Sequence, residues 1–157
     1  MRILFDTNVL ISAALNTKSI PAKAVFQVID SDDTFVVCRQ NLEEFKNKIG
    51  SKFPKRKDSL LIFLQMIETF AEIIEIPEKT VTLERKIRDY KDRPILRAAI
   101  KSEIDIIVTG DKDFLCSGIK YPSIMTPAEF VNYSPLPPDT PLMVAENSSK
   151  YSRKKKK

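Results

Sequence analysis

The chain has 157 residues, 43% hydrophobic and 30% charged, the size and balance of one globular domain with a substantial core. It has no histidine and only three glycines, which excludes a Ser-His-Asp triad, a Cys-His pair, a dinucleotide fingerprint and a phosphate-cradling P-loop. The net charge of +5 is carried entirely by Arg153–Lys157, so the body is neutral and the basic character belongs to a tail suited to a polyanion.

No apolar run approaches the roughly 18 residues of a membrane span. The segment Met1–Asp6 meets an acid too early for a signal peptide, so a cytoplasmic location away from membranes is expected. Cys38 and Cys116 fit a reduced compartment as two isolated buried thiols, too few for a four-ligand zinc site.

In chain order, Arg2-Ile3-Leu4-Phe5 is a short apolar run of strand formers. Val9, Leu10, Ala13 and Ala14 then recur at helical spacing, and Pro21 opens a second helix through Val25, Phe26 and Ile29. Thr34–Cys38 reads as a second strand, followed by a helix over about 40–49 with Leu42, Phe45 and Ile49 as its apolar stripe. Leu60, Leu61, Leu64 and Ile67 mark another helix; Ile73–Ile76 is a third strand closed by Pro77. A polar loop leads to a helix from about Asp92 to Ser102, then a fourth strand, Asp105–Thr109, stopped by Gly110. Residues 122–125 read as a short fifth strand, and Pro127 opens a last helix. Strands of near-continuous hydrophobicity alternating with helices imply an α/β fold, a parallel sheet covered on both faces. After Tyr133 the composition shifts to Pro, Ser and Lys, so residues 1–133 read as the domain and 134–157 as a poorly packed basic tail.

In such a sheet ligands bind at the carboxyl ends of the strands, where each crossover helix also begins. Asp6 ends the first strand, Asp111 follows the fourth, Asp92 opens the helix after the third, and Glu44 lies early in the helix after the second. Each acid also suits a plainer task, capping a helix or closing a turn, but all four fall on one predicted edge. Carboxylates gathered there repel by several kcal/mol at an effective dielectric of about 20. A divalent cation relieves that repulsion. An all-oxygen set with no imidazole selects Mg²⁺ or Mn²⁺, and a hard cation with open positions suits phosphodiester hydrolysis. Periodicity does not choose between Glu43 and Glu44, which lie equally far from the apolar stripe.

Four segments resemble the PIN-domain family: Ile3-Leu4-Phe5-Asp6-Thr7-Asn8-Val9-Leu10, Leu42-Glu43-Glu44-Phe45, Asp92-Arg93-Pro94-Ile95-Leu96 and Val108-Thr109-Gly110-Asp111-Lys112-Asp113-Phe114. The likeness runs from Met1 to about Val131 and is strongest to the bacterial and archaeal toxin subgroup that includes VapC, which Thr126-Pro127-Ala128-Glu129-Phe130 also fits. It implies a three-layer α/β/α sandwich with a central, mostly parallel sheet and Mg²⁺- or Mn²⁺-dependent cleavage of RNA. It implies an antitoxin partner and a homodimer. It assigns Asp6, Glu44, Asp92 and Asp111 as catalytic acids, choosing Glu44 over Glu43. Asp6, Asp92 and Asp111 would hold the metal, and Asn8, Thr109 and Asp113 would support them. Arg93 stands where many relatives carry Asp or Asn; with Arg39 and Lys112 it is a candidate phosphate contact. The rival is an inert PIN-like module that binds RNA or a partner, although no acid of the set is missing. A phosphatase with an Asp-x-Asp nucleophile is disfavoured by Asn8.

Overall fold

A computed structural model describes residues 1–133; the segment 134–157, read above as a basic tail, lies outside them. Five strands form one wholly parallel sheet: β1 Arg2–Phe5, β2 Thr34–Cys38, β3 Glu72–Ile74, β4 Ile106–Val108 and β5 Ser123–Met125. Their order is β3-β2-β1-β4-β5. The helices are α1 Thr7–Leu15, α2 Ile20–Ile29, α3 Arg39–Lys52, α4 Lys57–Phe70, α5 Arg93–Lys101, α6 Lys112–Leu115 and α7 Pro127–Val131.

Side chains alternate across a strand, and here both faces are apolar because both are covered. Ile3, Phe5, Phe35, Val37, Ile106 and Val108 join one core with residues of α1, α2, α3, α4 and α7. Phe5 sits at its centre, edge-to-face with Phe35 at 5.3 Å and Phe130 at 6.1 Å. Leu4, Val36, Cys38, Ile74 and Ile107 join a second core with α5 and with Phe114 of α6. The three-layer α/β/α sandwich expected from the sequence is therefore the fold. The third and fourth strands are shorter than expected: Ile76 and Thr109 fall outside them.

The strand order sets the position of the site. From β1 the chain winds outward through β2 to β3, then crosses back to β4 on the other side of β1. The helix leaving β1 packs on one face, whereas Phe114 in the helix leaving β4 packs on the other. Divergent helices leave a crevice between the carboxyl ends of adjacent strands at such a switch point. The loop that follows β3 is pinned beside it. Arg97 of α5 grips Glu84 bidentately at 2.8 Å through Nε and Nη2 and donates to the Pro77 carbonyl at 3.0 Å. Arg93 Nε donates to the Ile87 carbonyl at 2.9 Å. Among the described residues no helix is long and apolar enough to cross a membrane.

The thiols correct one expectation. Cys38 is buried at the end of β2, but Cys116, the C-cap of the four-residue α6, is exposed. A helix that short covers only Phe114 and leaves its cap in solvent. Burial also pushes the Cys38 thiol up, against hydrogen bonds from the backbone at Gln40 and Asn41. A thiol-reactive chromophore at neutral pH should therefore titrate Cys116 at once and Cys38 only after denaturation. Two fast thiols in the native protein would place Cys38 at the surface.

Candidate functional site

At the carboxyl edge the chain builds a cleft of about 440 Å³ whose lining includes Asp6, Glu43, Glu44, Asp89, Asp92 and Asp111. Asn8, Gln40, Asn47 and Lys91 complete it. A larger hollow of about 530 Å³ lies among α1, α2 and α4, lined by groups such as Leu15, Phe26, Phe63 and Met66. It has no acid on its walls, so titratable chemistry, rather than size, identifies the site.

Asp6 caps α1: its Oδ1 accepts from the Thr7 amide at 2.7 Å, where the helix N-terminus favours negative charge. Its Oδ2 accepts from the Thr109 hydroxyl at 2.8 Å. The same hydroxyl oxygen accepts from the Asp111 amide at 3.0 Å. Thr109 is fully buried between β4 and α6, and it ties the acid after β1 to the acid after β4. Asp111 caps α6, its Oδ1 accepting from the Asp113 amide at 2.7 Å. Asp92 is the N-cap of α5 by position, yet its side chain makes no capping hydrogen bond and is left facing the cleft.

Glu44 stands across the cleft on α3. Its Oε2 accepts from the Thr7 hydroxyl at 2.9 Å, and that hydroxyl accepts from the buried Asn41 amide, also at 2.9 Å. Its Oε1 meets Lys48 Nζ at 2.6 Å. Glu43 also lines the cleft but is more exposed than Glu44.

The acids disturb one another. Burial, then the charges of Asp111, Asp89, Asp6 and Glu44, push the Asp92 carboxyl up to about 6. Burial also raises Asp6, with Glu44 and Asp111 adding to it against the bonds from Thr109 and Thr7. Among the described residues Asp6, Asp92 and Asp111 form no ion pair. At the opposite edge of the sheet charges are matched: Arg2 holds Glu72 at 2.7 Å and the Met1 ammonium holds Asp33 at 2.6 Å.

The sequence reading placed Asp6, Glu44, Asp92 and Asp111 on one rim, and the structure brings all four to the cleft. Asn8 lines it too, with its Oδ1 accepting from Lys48 at 3.0 Å rather than its amide reaching Asp6. Asp113 pairs with Arg88 at 2.9 Å. Arg39, Arg93 and Lys112 are not among the cleft residues: Arg39 pairs with Glu75 and Arg93 bonds the Ile87 carbonyl. The cation on the wall is Lys91.

Sequence reasoning missed Asp89. Oxygens of Asp89, Asp92 and Asp113 lie within 4.8 Å of one another, close enough to share a cation. The turn that brings Asp89 there closes through the Asp92 amide donating to the Asp89 carbonyl at 3.2 Å, and the Asp-x-x-Asp spacing was its only sequence signal. An oxygen-only donor set, the acids Asp6, Asp92 and Asp111 with no ion pair among the described residues, and a carboxyl displaced upward fit a hard divalent cation.

The sequence matches the family model described as PIN domain over residues 2–113. The chain belongs to the PIN domain family. No curated protein matches it by sequence. Among solved structures, this PIN domain is similar to VapBC2 from Rickettsia felis, bound to a DNA fragment from their promoter. The TM-score is 0.61 at 17% identity, covering 80% of this chain and 97% of that one. FitAcB from Neisseria gonorrhoeae aligns with TM-score 0.58 at 21% identity, over 80% of this chain and 98% of that one. VapBC-1 from nontypeable Haemophilus influenzae gives 0.57 at 18%, over 82% and 99%. At these identities the likeness is one of fold.

Two outcomes follow for this PIN domain. Thr109→Val keeps shape but strands a half-buried carboxylate oxygen and the Asp111 amide, so stability should fall by about 1–3 kcal/mol, with Thr109→Ser near wild type. Equal denaturation midpoints for the three would show that the hydroxyl bonds carry no weight. The Asp92 carboxyl binds its proton more tightly in the native state than at its ordinary value of 3.8. Metal-free stability should therefore decline as pH rises from about 4 to about 6 and stay lower above. Asp92→Asn should stabilise the metal-free protein above that window and not below it; a gain independent of pH in thermal melts would contradict the assigned cause.

Proposed function

We propose that this PIN domain is a Mg²⁺- or Mn²⁺-dependent endoribonuclease, the toxin half of a toxin–antitoxin pair. The observation that carries the reading is the convergence on one cleft of Asp6, Asp92 and Asp111, which form no ion pair among the described residues, with Glu44 opposite. The VapC resemblance of the sequence agrees with the VapBC names of two structures that share the fold. Those names also support an antitoxin partner; a homodimer rests on the family likeness.

In this reading Asp6, Asp92 and Asp111 hold the metal, with Asp89 beside them. A bound divalent cation supplies polarisation of a phosphoryl oxygen and an acidified water. Glu44, fixed by the Thr7 hydroxyl, accepts the proton of the attacking water at a carboxylate oxygen. Thr109 fixes the orientation of Asp6 and Asp111, as supporting hydrogen bonds do in metal sites. Lys91 meets the phosphate chain at the cleft wall, the part that Arg39, Arg93 and Lys112 were expected to share.

Asp6→Asn keeps the capping oxygen and removes the charge, so cleavage of single-stranded RNA in Mn²⁺ or Mg²⁺ should fall at least about a hundredfold. In thermal melts Mn²⁺ should raise the wild-type midpoint by several degrees, as expected of a ligand that binds only the folded state, and raise Asp6→Asn less. Sodium at matched ionic strength controls for screening. A melt unmoved by Mn²⁺, with no RNA cleaved, would leave an inert RNA- or partner-binding module.

A further inference from the structure

The acids around the cleft differ in what already neutralises them. Asp6, Asp92 and Asp111 form no ion pair among the described residues, whereas Glu44 has its own cation. Lys48 lies one helical turn along α3 from Glu44, and its Nζ reaches Glu44 Oε1 at 2.6 Å and Asn8 Oδ1 at 3.0 Å. Only 21% of the Lys48 side chain is exposed. An exposed pair at this spacing is ordinarily loose. This one is different because Asn8, at the start of α1, holds the ammonium from a second element. The two oxygens that Lys48 engages are those a hard cation on this flank would need. The ammonium and a metal ion cannot share them at contact distance, because like charges so close repel strongly in a partly buried site.

We propose that Lys48 is a resident cation that closes the Glu44 flank, so that no divalent ion is held there. The metal would sit on Asp6, Asp92 and Asp111, with Glu44 kept from it by Lys48 and free to act on water. Lys48 is on this account a positioning residue. The inference rests on the metal-dependent reading above and goes further by separating Glu44 from the acids that would hold metal.

The test counts metal rather than turnover. Free Mn²⁺ is followed by its electron paramagnetic resonance signal as the full-length protein is titrated to saturation. Lys48→Met, which keeps the apolar stem and loses the charge, should bind one equivalent more than wild type. Lys48→Arg, which keeps the charge, should bind as many as wild type. The double variant Lys48→Met, Glu44→Gln should return to the wild-type count, placing the added ion on Glu44. Circular dichroism checks that each variant is folded. An unchanged count in folded Lys48→Met, or an added ion that persists in the double variant, overturns the proposal while leaving metal binding intact. No binding by any variant overturns the metal-dependent reading and this inference with it.

Discussion

Carboxylates repel, and this sheet gathers them where its strand order leaves a crevice. The acids after β1 and β4 are neighbours because those strands are neighbours, with Leu4 in register with Ile107 and Phe5 with Val108. A single buried hydroxyl, that of Thr109, spans them by donating to one acid and accepting from the amide of the other. The rest of the site is built around that juxtaposition. The upward displacement of Asp92 and Asp6 comes first from burial, with the neighbouring carboxylates adding to it.

The scaffold carries this cost with apolar layers on both sides of the sheet. Ile3, Leu4 and Phe5 have no exposed surface, so the strand that delivers Asp6 is fixed from both faces. The remaining backbone groups at the edge are satisfied by the acids themselves, since Asp6 and Asp111 each cap the helix that follows. Capping and metal affinity are therefore not competing explanations of these residues. One carboxylate oxygen of each serves the helix, leaving the other to look into the cleft or toward Thr109. Asp92 departs from this pattern, making no capping bond, and it is the acid whose protonation is most displaced.

How far the sequence reveals this varies with the residue. Asp6 and Asp111 are legible because each follows an unbroken apolar run, and the end of a parallel strand is also the edge where ligands bind. The two-faced core is legible for the same reason. Glu44 is not legible from periodicity: Glu43 lines the same cleft, and what distinguishes Glu44 is the Thr7 hydroxyl, a contact across 37 residues. Asp89 is hidden in a loop with no hydrophobic rhythm, in a turn closed by the Asp92 amide on its own carbonyl. Arg93 fits a phosphate contact by its place beside Asp92, but the first turn of α5 aims its Nε at the Ile87 carbonyl. A residue next to a cleft acid in sequence points elsewhere once a helix begins between them. Cys116 was expected to be buried because free thiols usually are, and a four-residue helix is too short to cover it.

On the proposed reading, the double duty of Asp6 and Asp111 narrows the ways in which such a chain can give up its chemistry. Alanine at either position removes the charge and also strands a helix N-terminus, so about 0.5–2 kcal/mol of stability goes with it. Asparagine or serine keeps an oxygen for the backbone while abolishing the negative charge. A descendant of this protein that had become a pure binding module would bear the mark of that constraint: a polar cap at both positions, neutral, in an otherwise unaltered edge. The geometry that concentrates the acids thus also limits how they can be retired.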